Sequence, residues 1–285
     1  LNPKQSRIKY FVPTKRVFER LKLYGIKAEN IFFTCFPLPE ENTSRECLKD
    51  DLKVRLLNLD PEKTYFGKYE ALIKEKLGEL PKAANRPLTI MFSVGGAGAQ
   101  KEIGVKIVKS LKDKIKNNEI KIILAAGIKE KVKDYFEKKT GGDAEILYQE
   151  KIEDYFREFN QKLRETDILW TKPSELSFYA ALGISMIISP PIGSQEKFNM
   201  RYLLKSGFAI AQENPNYTDQ WLLDWLKQGY LAEAAMQGFV EGEKMGTFNI
   251  KKICDLKSGN LRTEGWIVPS KLSIFGPTMP ILSLV

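Results

Sequence analysis

The chain contains no histidine. That removes every histidine-based triad and every histidine metal site. Cysteine is scarce. Cys35, Cys47 and Cys254 lie far apart and form no CxxC pair, which argues against a disulfide framework or a zinc site and fits a reducing cytoplasm. No apolar run approaches the ~20 residues needed to span a bilayer. No segment repeats at a period of about 20–50 residues, and low-complexity tracts are absent. Leu1 is not a start methionine and no signal peptide is visible, so a fragment of a longer chain is expected.

What is present is ordinary for a globular protein: 285 residues, 43% hydrophobic and 28% charged, enough to bury one large core or two small ones. The net charge of +9 comes from lysines spread along helices, not gathered in one tract. Solvated helix faces explain that pattern better than an anionic partner does. No aromatic–basic motif or known module points to nucleic acid, so no specific nucleic-acid partner is expected.

Along the chain, IKYFV reads as a strand, Pro13-Thr14 opens a helix that Gly25 ends, and IFFTCF reads as a second strand. Residues 43–80 read as two charged helices. From PLTIMFSV onward, apolar strands alternate with helices of about 10–15 residues, which argues for βαβ units and a parallel sheet with helices on both faces. The helices expected are 101–117, KEKVKDYFEKK, IEDYFREFNQKL, a segment from Ser174 to Leu182, and one starting near Gln195. Trp221, Leu222, Trp225 and Leu226 form an apolar stripe that reads as core.

The stretch from Asp167 to Phe208, DILWTKPSELSFYAALGISMIISPPIGSQEKFNMRYLLKSGF, organises the rest. It places two strand-to-helix loops side by side at the carboxyl ends of parallel strands, where open α/β sheets bind ligands. A third loop follows PLTIMFSV, with Gly95, Gly96, Gly98 and Ala99 before a helix. Glycines there let a phosphate approach the backbone, or serve a tight turn for helix–strand packing; the sequence GGAGA is not the dinucleotide fingerprint GxGxxG. Gly127 ends strand KIILAAG, where a glycine serves a helix-start turn. Thr171, Ser174 and Glu175 lie on one loop of the organising stretch. Gly193, Ser194, Gln195, Glu196 and Asn199 lie on the other, which reads either as an ordinary solvated helix start or as a polar turn whose amides can both donate to and accept from a ligand.

The run TKPSELSFYAALG followed by PPIGSQEKFNMRYLLKSG resembles the donor half of GT-B glycosyltransferases. The pattern is similar to that of the lipid II-forming N-acetylglucosaminyl transferase and the monogalactosyldiacylglycerol synthase family. The resemblance covers roughly residue 31 to the 230s. It implies a doubly wound, Rossmann-like parallel sheet. Its domains would be 1–42, the end of a GT-B first domain; 43–85, a helical linker or insertion; 86–246, the nucleotide-sugar-binding domain; and 247–285, a tail returning toward the first domain.

Functionally, the resemblance implies inverting, metal-independent transfer of a sugar from a nucleotide-sugar donor such as a UDP-sugar to a hydroxyl acceptor. No cofactor is expected. The thirteen residues from Gly95 to Asn199 named above are the expected donor site. The implied partners are the nucleotide-sugar and a separate or upstream acceptor-binding domain. The implied location is cytoplasmic, with peripheral contact to an anionic membrane left open. The sequence departs from the family at one place. The glutamate that holds the ribose there aligns with Ala180 or with Phe178, and Glu175 is the only carboxylate nearby. The alternative is therefore a non-catalytic nucleotide-binding or scaffold protein that kept the fold. No general base is identified.

Overall fold

The apolar runs become strands of two parallel sheets. The computed structural model describes residues 3–5, 7–94 and 98–257. β1 (Tyr10–Val12) and β2 (Ile31–Phe33) pair in parallel through the crossover helix α1 (Lys15–Leu23). Thr14 caps α1, its Oγ1 accepting the Val17 N–H at 3.3 Å.

The main sheet holds β3 (Leu88–Ser93), β4 (Ile120–Gly127), β5 (Glu145–Tyr148), β6 (Ile168–Thr171), β7 (Ser185–Ile188) and β8 (Ala209–Ala211). Their spatial order is β5–β4–β3–β6–β7–β8, and every pair is parallel. The chain winds outward from β3 in one direction, then returns to β6 and winds the other way. The carboxyl ends of β3 and β6 thus flank a topological switch point. This is the doubly wound arrangement expected.

Helices cover both faces: α2 (Arg45–Leu59), α3 (Thr64–Leu77), α4 (Lys101–Ser110), α5 (Lys112–Lys116), α6 (Glu130–Thr140), α7 (Ile152–Glu165), α8 (Ser194–Lys205), α9 (Thr218–Gln228), α10 (Tyr230–Glu241) and α11 (Gly246–Lys257). Strand side chains alternate between two cores. Ile90, Phe92, Leu124 and Trp170 join α2, α3, α4, α6, α9 and α10 on one face. Met91, Ile123, Leu169 and Ile188 join α7 and α8 on the other. Burial on both faces is why these strands read as continuous apolar runs instead of alternating ones. The tryptophan stripe of α9 is buried in the first core, as expected. Among the described residues, no helix is long and apolar enough to cross a membrane.

Three local differences have physical causes. Residues 101–117 form two helices, broken at the fully buried Leu111. The segment Glu175–Leu182 is a 3-10 helix, and the Ser174 side chain does not cap it. α10 lies too close for anything larger: a Cβ on Gly238 would sit 2.4 Å from the Ala180 carbonyl oxygen, and one on Gly242 would sit 2.7 Å from the Ala181 Cα. The helices expected as a linker or insertion are built into the core. Leu52, Leu56 and Leu59 of α2 are buried there, and so are Tyr65, Ile73 and Leu77 of α3. Arg55 of α2 is also buried. Its guanidinium donates to the carbonyls of Leu163 (2.8 Å), Thr166 (2.8 Å) and Leu182 (2.9 Å), closing the ends of α7 and the 3-10 segment.

Beyond α10 the chain returns to residues 34–40. Thr247 donates its hydroxyl to the Leu38 carbonyl, Asn249 Nδ2 donates to Thr34 O at 3.0 Å, and Lys251 pairs with Glu40. Residues 258–285 of the expected tail lie outside the described residues.

Candidate functional site

Parallel strands bring all the loops named above to one end of the sheet. Between β3 and α4, Gly95 and Gly96 lie outside the described residues. Gly98 adopts φ +68°, and a Cβ there would come within 3.1 Å of Val132 on α6, so this glycine serves close packing of loop on helix. Ala99 is half-buried. Gln100 then reaches across the switch point, its Nε2 donating to Pro190 O at 3.0 Å. The loop after β3 and the loop after β7 are thereby tied together.

Gly127 ends β4 at φ +72°, and a Cβ there would meet no atom within 4 Å. At the end of β6, the buried Thr171 donates its hydroxyl to Ser93 O at 3.2 Å, joining the ends of β6 and β3. Ser174 is buried, and its hydroxyl has no partner among the described residues. Glu175 is exposed.

The loop after β7 leads into α8. Gly193, Ser194 and Gln195 are exposed. A Cβ on Gly193 would again meet nothing within 4 Å, although its backbone (φ −113°) suits any residue. Glu196 and Asn199 face inward. Glu196 Oε1 accepts from Lys172 Nζ at 2.7 Å, and its Oε2 accepts the Ile192 N–H at 2.8 Å. Burial pushes the Glu196 carboxyl up, but the Lys172 ammonium and the Ile192 and Gly193 N–H groups outweigh it and hold the group below the usual carboxylate range. Asn199 Nδ2 donates to Pro173 O at 3.1 Å. Two of the polar side chains expected at an open loop thus brace one loop against another.

The arrangement offers α8 with no side-chain cap, open backbone at Gly127 and Gly193, one ammonium at Lys172, and one unpartnered hydroxyl at Ser174. Such a set suits an anion with oxygen on several sides. Lys172 and Gln100 are the residues that reading the sequence missed. The signal for Lys172 was its place in the TKP turn, opposite an acidic residue at the start of the next helix.

The opposite end of the sheet is structural around Asp167, the aspartate that opens the organising stretch. Its carboxylate takes Arg86 (2.6 and 2.7 Å), the Thr89 N–H (2.8 Å) and Asn58 Nδ2 (2.9 Å). A cavity of about 550 Å³ lies there, at the amino ends of β3 and β4, lined by Leu57, Arg86, Pro87, Asn118, Leu223 and Leu226 among others.

A sequence profile described as Domain of unknown function (DUF6938) matches residues 80–162. No curated protein matches the chain. Solved structures do resemble it. One assigned as a UDP-N-acetylglucosamine 2-epimerase from Listeria monocytogenes superimposes with a TM-score of 0.51 at 16% identity, over 88% of this chain and 59% of that one. S. aureus MnaA, in a co-structure with UDP, gives 0.50 at 12% identity, over 89% and 60%. WaaG, described as a glycosyltransferase involved in lipopolysaccharide biosynthesis, gives 0.49 at 12%, over 90% and 65%. The chain thus spans about three-fifths of the length of the first two. Strand order and structural likeness agree on one statement: the chain has a Rossmann-like, doubly wound α/β fold with GT-B-type structural neighbours.

Proposed function

We propose that this chain is the nucleotide-sugar-binding part of a glycosyltransferase, holding a nucleoside diphosphate sugar across the carboxyl ends of β3, β4, β6 and β7. One observation carries the reading: three loops converge on the switch point of the sheet and are cross-tied there by Gln100–Pro190, Lys172–Glu196 and Asn199–Pro173. The UDP-bound state of S. aureus MnaA supports uridine diphosphate as the ligand to try first.

In the proposed reaction an acceptor hydroxyl attacks the anomeric carbon as the bond from that carbon to the diphosphate oxygen breaks. The acceptor proton passes to a general base, and the configuration inverts. This chain's share is to fix the diphosphate and to stabilise the charge it gains on leaving, through backbone N–H groups, the α8 N-terminus and Lys172. The base and the acceptor belong to a second domain. The pair β1–β2 supports that partner. Parallel strands ordinarily lie in sheets covered on both faces, and two strands alone are marginal. Here Phe11 and Phe33 remain 37% and 44% exposed. Cytoplasmic placement, with peripheral contact to an anionic membrane, belongs to the same proposal.

A second reading, binding without transfer, has its own observation. Phe178 stacks on Phe36 with ring centroids 4.5 Å apart, and Ala180 is buried beneath Gly238. Neither position offers a ribose acceptor. Calorimetric titration with UDP, a UDP-sugar and uridine tests the shared core of both readings. Saturable binding that depends on the diphosphate is expected; equal or absent binding of UDP and uridine would refute it. Adding lipid and sugar acceptors to the donor-loaded chain then separates transfer from binding alone.

A further inference from the structure

Lys172 stands on the loop after β6 and Glu196 at the start of α8, yet they form one of the most enclosed ion pairs among the described residues, with side chains 17% and 15% exposed. Glu196 lies in the first turn of α8, where the helix's positive end faces its carboxylate. An ammonium and a backbone N–H converge on this one group at 2.7 and 2.8 Å. Those are the donors a phosphate oxygen takes. In the turn that carries Lys172, the Ser174 N–H bonds back to Lys172 O at 2.8 Å, while the buried Ser174 hydroxyl stays unpartnered. The turn therefore holds polar capacity that no group among the described residues uses.

We propose that Glu196 is an internal stand-in for the ligand's phosphate: it holds Lys172 and the Ile192 N–H in place until a diphosphate takes them. The inference rests on the nucleotide-binding reading and assigns Glu196 the role of competitor rather than contact. A carboxylate brings one negative charge and two oxygens, whereas a diphosphate brings more of both and reaches several donors at once. Displaced, Glu196 has solvent within reach at the exposed start of α8. A carboxylate brings too little charge to displace it from Lys172, and a monophosphate reaches fewer donors at once than a diphosphate does. The pair therefore sets a threshold that favours diphosphates over monophosphates and carboxylates, and it keeps the loops joined while the site is empty.

The test uses Glu196→Gln, which keeps the shape and removes the charge, beside Lys172→Met and Lys172→Gln. UDP, inorganic pyrophosphate and inorganic phosphate are titrated calorimetrically against each, with circular dichroism confirming the fold. Glu196→Gln is expected to bind UDP and pyrophosphate about tenfold tighter and to narrow the preference over phosphate, the order expected for one charge-assisted contact. The Lys172 variants are expected to bind at least about tenfold more weakly. UDP affinity that is unchanged or weaker in Glu196→Gln overturns the proposal while leaving nucleotide binding intact. If UDP binds no protein but pyrophosphate binds Glu196→Gln more tightly, the stand-in survives and the nucleotide reading fails. If neither ligand binds any of the proteins, both fail.

Discussion

Replacing Gly193 with alanine separates ligand binding from stability. The backbone there is already extended, at φ −113°, and an added methyl meets no atom within 4 Å. Two small terms act on the folded protein. Gly193 is the N-cap of α8, and alanine caps less well, at a cost of up to about 1 kcal/mol. Against this, alanine restricts the unfolded chain and so stabilises by about 0.4–1 kcal/mol. The two offset, so the unfolding free energy should stay within ~0.5 kcal/mol of the parent. Binding should respond differently. If a diphosphate approaches the N–H groups at the start of α8, the methyl stands in its path, and a loss of at least about tenfold, or 1.4 kcal/mol, follows. Urea unfolding followed by circular dichroism gives the first quantity, and calorimetric titration with UDP gives the second. Unchanged stability with unchanged UDP affinity would refute the placement of the ligand at this loop.

Arg55→Met should lower stability by about 3 kcal/mol or more. Three buried carbonyls lose their donor, at roughly 1–3 kcal/mol each, partly offset by relief of a buried charge; urea denaturation measures it, and a loss below 1 kcal/mol would contradict α2 as part of the core. Asn199→Ala should cost about 1 kcal/mol in the same assay through its bond to Pro173 O. Gln195→Ala, on the exposed turn, should change stability by less than ~0.5 kcal/mol, so equal effects would contradict this division. Burial first, and then nearby negative groups, push the Tyr65 and Tyr179 phenols up to about 12 from an ordinary 10. The unfolded chain therefore loses these protons first. The stability they lend is complete below pH 10 and is lost as pH rises toward about 12, with a shallower fall in Tyr179→Phe; stability that is flat over that range in both proteins would contradict it.

Most of the sheet was legible because burial on both faces wrote it as unbroken apolar runs, such as TIMFSV, IILAA and DILWT. The convergence of the loops followed from their shared position after parallel strands. What could not be read was pairing over distance. Nothing near Arg55 announces that its partners are carbonyls more than 100 residues away, so α2 read as a charged linker. Asn199 and Glu196 read as ligand-facing groups, because sequence shows a polar helix start and not the Pro173 carbonyl or the Lys172 ammonium that meets it. The 3-10 form of Glu175–Leu182 was hidden for a similar reason. Its residues favour an α-helix locally, and the constraint comes from Gly238 in α10 and Gly242 just beyond its end, some 60 residues later.

The position of bound UDP discriminates between the loops at the carboxyl ends of the strands and the cavity at their amino ends. Backbone amide NMR shifts recorded during a UDP titration locate it. Saturable changes are expected at Gly98, Gln100, Gly127, Lys172, Ser174 and Gly193 to Glu196, with Arg86 and Asn118 unmoved. Changes centred instead on Arg86, Asn118 and Leu223, around the 550 Å³ cavity at the amino ends of the strands, would contradict it.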